Sequence, residues 1–137
     1  MAGLALHVVP RTKYTFDNVP SGTTFTVPIA RHIDISRFRE VTLLVRVHTK
    51  SLLATGSPTI VVGAVADVPT ADDPAQDFLS AVLASTTIIP GTTAPSLVLV
   101  AIPANAGTMI SVQLTVTQGT SAAALQSTIS VDVSAKS

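Results

Sequence analysis

The sequence predicts an all-β protein, a single-domain antiparallel β-sandwich of jelly-roll type with about eight strands. Three observations support this prediction: apolar and polar residues alternate in several stretches, turn-forming clusters separate these stretches, and no amphipathic helix of ordinary length is visible. The chain of 137 residues has the usual size of one domain. We therefore expect one sandwich domain over residues 1–137.

The clearest strands show a strict period of two, which is typical of strands with one buried face. They cover residues 41–48, 110–117 and 129–133, and the last two are connected through a segment that begins at Gln118 and Gly119. On this basis, we predict that the core contains Val41, Leu43, Val45, Val47, Ile110, Val112, Leu114, Val116, Ile129, Val131 and Val133.

Further strands are predicted from β-prone composition between turn clusters. They cover residues 4–9, 13–17, 23–30, 59–66, 85–89 and 96–102. Pro28 indicates an edge strand or a bulge, because proline cannot donate to a strand ladder. The 59–66 and 96–102 stretches are apolar on both faces, so we expect both to be central or covered on two sides. A short helical turn is expected from Pro74 to Leu83, capped by Asp72 or Asp73.

The composition indicates a surface of low charge. Hydrophobic residues make up 47% of the chain and charged residues 12%, about half of the usual share. The net charge is zero, so no general attraction to nucleic acid or to an anionic membrane is expected. Residues 1–50 carry seven basic and three acidic side chains, and residues 51–137 carry one and five. These two sets either cancel within one fold or form complementary patches between subunits.

No residue constellation predicts an enzyme, and we expect no catalytic, cofactor-binding or metal site. His7, His32 and His48 are scattered, without the short-range pair that is typical of zinc sites. No Gly-x-Ser-x-Gly or phosphate-binding glycine loop is present. The four acids of the 67–77 loop resemble an oxygen-rich calcium loop. Turns and helix capping explain the same acids, so we predict that chelators leave the thermal stability unchanged.

Three further function classes are disfavoured. The chain has no cysteine, which excludes a disulfide-stapled secreted module. No stretch reaches the roughly 18 apolar residues of a membrane helix, and the first ten residues do not resemble a signal peptide. Nucleic-acid or sugar binding by stacking is disfavoured because the chain has no Trp and one Tyr.

The segment from Arg31 to His48 resembles small all-β structural proteins of tailed phages and prophages. The similarity lies in Ile-Asp-Ile-Ser, then Phe-Arg-Glu, then an alternating strand that ends in Arg-Val-His, and residues 65–78 fit the same picture. This resemblance implies a capsid-surface or decoration protein without catalytic residues, which multimerises and binds a shell lattice.

The function predicted from the sequence is therefore a structural subunit of a phage-like particle, assembled in the host cytoplasm and located in the virion. Its expected partners are further copies of itself, a trimer first, and a capsid or other particle protein. The alternative is a carbohydrate-binding or adhesive β-sandwich module, because sandwiches support both functions. The absence of Trp favours the first interpretation.

Overall fold

The computed structural model describes residues 3–16, 20, 22–52, 58–68, 78–89, 94–103, 109–118 and 125–137. These residues form eight strands. They are β1 (Gly3–Phe16), β2 (Thr24–Asp34), β3 (Glu40–Leu52), β4 (Thr59–Val68), β5 (Phe78–Ile89), β6 (Ser96–Ile102), β7 (Met109–Thr117) and β8 (Leu125–Lys136). No helix among the described residues is long and apolar enough to cross a membrane.

The strands form two four-stranded antiparallel sheets. The first sheet has the order β1-β8-β3-β6 and the second the order β2-β7-β4-β5. Each connection passes from one sheet to the other, except that between β4 and β5, which are neighbours. This order is that of an eight-stranded jelly roll, so the prediction of a jelly-roll-like sandwich is confirmed.

The core lies between the two sheets and is aliphatic. All eleven residues predicted for it are buried, because alternate side chains of β3, β7 and β8 point inward. Val9, Ile60, Val62, Ile88 and Val100 from other strands complete it. Aromatic rings contribute at the margin, where Phe16 and Phe25 pack edge to face with ring centres 5.6 Å apart.

Two strand positions follow the sequence prediction. β2 is an edge strand, and its ladder with β7 shifts register between Pro28 and Ala30. β4 lies between β7 and β5, and Val62, Ala64 and Val65 are buried, as the run of apolar residues on both faces predicts. The two short strands predicted over 4–9 and 13–17 form one strand, β1, with bulges around Val9.

Two predictions were wrong. The helical turn expected from Pro74 to Leu83 is absent from its described part, since residues 78–83 belong to β5 and pair with β4. Local capping and propensity are weak where a neighbouring strand offers a complete ladder. The 96–102 stretch forms an edge strand whose outward face is open, with Leu97 and Leu99 51% and 63% exposed.

The inward face of β3 and β7 provides a test of the packing. Leu43 and Leu114 are fully buried, so Leu43→Ala or Leu114→Ala is expected to lower the free energy of unfolding by roughly 2–5 kcal/mol, through lost burial and the cavity left behind. Urea denaturation of each variant measures the free energy of unfolding. Leu4→Ala, at a position 43% exposed, is the matched control, with an expected change within about 0.5 kcal/mol. Equal losses at Leu4 and Leu43 would contradict this core.

Candidate interaction surface

The outward face of the β1-β8-β3-β6 sheet brings together side chains from distant parts of the chain. The registers place His7 opposite Asp132, Asp132 opposite Leu44, and Leu44 opposite Leu99. One row therefore runs across all four strands. We call this surface the outer face. Its β6 side, together with the adjoining Leu44 of β3, is apolar, and the rest of it is polar.

Asp132 is the centre of the polar side. Its carboxylate can only accept hydrogen bonds, and it receives one from His7 Nδ1 and one from Arg46 Nη1. The two donors come from β1 and β3, on either side of β8. The cluster therefore ties three adjacent strands together on the surface. The cluster also pairs Arg46, from the basic first 50 residues, with Asp132, from the acidic remainder. At this pair the opposite charges cancel within one chain.

The environment of Asp132 favours its ionised form. Partial burial acts to raise the pKa of this carboxyl, but the hydrogen bonds from His7 and Arg46 and their charge lower the pKa by more, so that it lies below its ordinary value. The Asp132 carboxyl is therefore ionised at neutral pH. It serves as an acceptor on this surface and lacks the raised pKa of a general acid.

A second pair lies beside this cluster. His48 Nε2 is 3.0 Å from Ser130 Oγ, and both residues face outward from neighbouring strands. A register shift between Val47 and Thr49 makes His48 the extra residue of a bulge. Within the described residues, no carboxylate orients His48, and the pair forms a cross-strand contact between β3 and β8.

The apolar side of the outer face consists of Leu44, Leu97 and Leu99, which we call the leucine patch. Leu44 is half-buried, whereas Leu97 and Leu99 are exposed. A shallow depression of about 220 Å³ adjoins the patch, lined by Glu40, Thr42, Leu44, Leu99, Ser134 and Lys136. The depression is open, so it fits a surface contact better than an enclosed small ligand.

The three histidines do not lie together in one sheet. His32 lies on β2, in the other sheet from His7 and His48, and adopts a left-handed φ of 59°. Among the described residues, no group of three His, Cys, Asp or Glu side chains is arranged to hold a metal ion. The acidic loop lies outside the described residues from 69 to 77, so the expected insensitivity to chelators stays a prediction.

Of the acids among residues 1–50, Asp34 has a local hydrogen-bonding role. Asp17 lies outside the described residues. Asp34 accepts a hydrogen bond of 2.9 Å from the Ser36 backbone amide, in the turn that leads to β3. A hydrogen bond from the Ser36 hydroxyl, and after it this backbone contact, lower the pKa of Asp34. Asp34 therefore has a local structural role in that turn.

Comparison with known proteins finds similarity in structure only. No family model and no curated protein sequence matches the chain. The VP2 protein of the subviral particle of infectious bursal disease virus aligns over 97% of this chain with a TM-score of 0.53 and 13% identity. A chain in the structure of the Gx strain of the same virus aligns over 97% with a TM-score of 0.52 and 10% identity.

These similarities concern the fold. In both cases the chain spans 32% of the length of the viral chain. The chain shares a jelly-roll fold with part of these viral chains, in agreement with the strand order. Neither structure is of a tailed phage, so of the resemblance of the Arg31–His48 segment to phage proteins only the all-β fold is supported.

The Asp132 cluster predicts a pH dependence. Asp132→Asn is expected to lower the free energy of unfolding at pH 7 by about 1 kcal/mol, because His7 and Arg46 lose a charged acceptor. The folded pKa lies below that of the unfolded carboxyl, about 3.9, so the unfolded state binds the proton first as the pH falls. The contribution is complete at neutral pH and is lost as the pH falls through the folded pKa.

Urea denaturation of the wild type and of Asp132→Asn at pH 7 and at about pH 2.5 measures this difference. The gap between the two proteins is expected to narrow at the lower pH. Glu40→Gln, an exposed acid at the end of the same face, is the control, with an expected change within about 0.5 kcal/mol at both pH values. A gap of constant size would show that the charge of Asp132 does not contribute.

Proposed function

We propose that this protein is a non-enzymatic structural subunit of a viral or phage-like particle and acts by self-association and by binding a shell lattice. The observation that carries the proposal is the complete jelly-roll strand order, together with the likeness of nearly the whole chain to part of a viral VP2 protein. Jelly rolls also occur in lectins and cupins, so the fold alone leaves several functions open.

The surface provides further support. The chain carries few charges, and Ser and Thr supply most of its outward polar groups, which can be buried without removing ions from water. The leucine patch adds exposed apolar area on the outer face. Exposed apolar area beside polar groups is suited to protein–protein contacts.

Within this class, we propose a capsid decoration or cement protein, located in the virion and assembled in the host cytoplasm as a single domain. Its partners are other copies of the chain, with a trimer as the first expectation, and a capsid or other particle protein. The sequence resemblance over Arg31–His48 supports the phage-type role. No cofactor, nucleic acid or membrane is required for this function. A carbohydrate-binding module is the competing function, and no described residue favours it.

Co-sedimentation tests this function. We expect the protein to pellet with purified particles of the virus or phage that encodes it and to saturate at a fixed ratio to the shell subunit, because lattice sites repeat. Leu97→Asp, which places a charge in the leucine patch, is expected to reduce binding at least tenfold, since that charge would lose its hydration. Leu4→Asp, also exposed but on β1, is the matched control and is expected to bind as the wild type does.

Two results would contradict this proposal. A protein that fails to bind those particles at micromolar concentration, and binds one glycan in an array screen, would replace the structural role by the carbohydrate-binding one. Retained particle binding by Leu97→Asp would instead place the lattice contact on another surface.

A further inference from the structure

The four edge strands differ in how they are protected against pairing with another chain. Free edges normally carry charges, prolines or bulges that prevent it. β1 carries Arg11 and Lys13 and has two register shifts, and β2 carries Pro28 and Arg31 and has two more. The ladder of β5 with β4 shifts at three places.

β6 lacks these features. Its seven residues are uncharged and contain no proline, and its ladder with β3 runs from Val41 opposite Ile102 to Val47 opposite Ser96 without a shift. Its outer edge therefore presents a regular row of backbone donors and acceptors. It also exposes Leu97 and Leu99 beside that row. A regular apolar edge of this kind is suited to strand addition.

The β6 sequence is also symmetric in a way that matters for pairing. Pro95 and Pro103 lie four residues before and after Leu99, and proline has no N–H with which to continue a ladder. Leu99 is thus the midpoint of a seven-residue segment with two equivalent ends. An antiparallel partner of the same sequence matches this segment in full only when Leu99 lies opposite Leu99.

We infer that β6 pairs antiparallel with β6 of a second copy of this chain, across a two-fold axis at Leu99. This inference rests on the proposed function. It specifies one two-fold contact by which the subunit self-associates, separate from the three-fold contacts of a trimer. The pairing extends the first sheet to eight strands and keeps both faces in phase. Leu97 then lies opposite Ala101 of the second copy, and Ser96 opposite Ile102.

Charge favours a second copy as the occupant. A strand that pairs with itself around a two-fold axis brings identical residues into equivalent positions, so charges on it would meet like charges. β6 has none, whereas β1 and β2 each carry arginine. β5 is also uncharged, but its ladder with β4 shifts at three places. β6 is therefore the described edge strand that is both uncharged and without a register shift.

An unsatisfied polar group lies on the same edge strand. The Ser96 hydroxyl is buried and has no hydrogen-bond partner among the described residues. An orphaned buried hydroxyl is unfavourable. In the paired arrangement, Ser96 lies opposite Ile102 of the second copy. The paired edge also joins two leucine patches into one surface.

Site-specific disulfide formation tests this register, because the chain has no cysteine of its own. Directly opposed residues in an antiparallel ladder have Cα atoms about 4.5–5.5 Å apart, within the range of a disulfide. Leu99→Cys is expected to form a covalent dimer under mild oxidation at micromolar concentration. Leu97→Cys alone is expected to form at least tenfold less, and an equimolar mixture of Leu97→Cys and Ala101→Cys is expected to form the mixed dimer.

Leu4→Cys, exposed on the β1 edge, is the collision control. Dimer formation by Leu4→Cys as rapid as that of Leu99→Cys would overturn the inference, as would no covalent dimer of Leu99→Cys. A second variant, Leu99→Lys, places like charges at the axis. It is expected to raise the dimer dissociation constant at least tenfold in sedimentation equilibrium. Its unfolding midpoint is expected to be unchanged at a protein concentration at which the wild type is monomeric. An unchanged dissociation constant would contradict the pairing.

The two proposals fail in different ways. A protein that forms the Leu99→Cys dimer but does not pellet with its particles would leave the β6 contact standing and remove the particle function. A protein that pellets with its particles while Leu99→Cys stays monomeric there and in free solution would keep the function and exclude this contact.

Discussion

β8 lies between β1 and β3 and pairs with both along its whole length, from Lys136 to Leu125. Its inward residues Ile129, Val131 and Val133 are completely buried, and each such side chain contributes about 1.5–3 kcal/mol relative to an exposed position. Without β8, β1 would have no partner and the first sheet would be reduced to β3 and β6. The core, the outer face and the relation between the two sheets all depend on this central ladder.

The sequence contains enough information for the fold class and for most of the core. Strict alternation in 41–48, 110–117 and 129–133 fixes which side chains face inward, because side chains of a strand alternate between two faces. The sequence contains less information about which apolar strands have neighbours on both sides and which lie at an edge. The 96–102 stretch is as apolar as the central strand β4, yet it lies at an edge, because hydrophobicity reports that a face is suited to burial and not which chain buries it. The helix expected up to Leu83 is wrong because pairing with β4 outweighs local capping signals.

The candidate surface was harder to predict than the core. Arg46 and Asp132 could each be assigned to an outward face from alternation, but their contact spans 86 residues and requires the order β1-β8-β3. The same holds for His48 and Ser130, which also depend on a bulge that no local signal marks. Side-chain direction is a local property, whereas strand neighbours are set by the whole topology. The leucine patch likewise becomes visible only when Leu44 is placed beside Leu99.

The position of β1 has a consequence for how the protein is made. In the described structure, β1 has one strand partner, β8, which begins at Leu125. While a ribosome synthesises the chain from its amino end, the first strand stays without a ladder until more than a hundred further residues have emerged. Contacts between such distant segments are slow to form, because a long loop must close first. The first sheet therefore cannot be completed in the order of synthesis, and the apolar β1 side chains stay open to misassociation until β8 has been made.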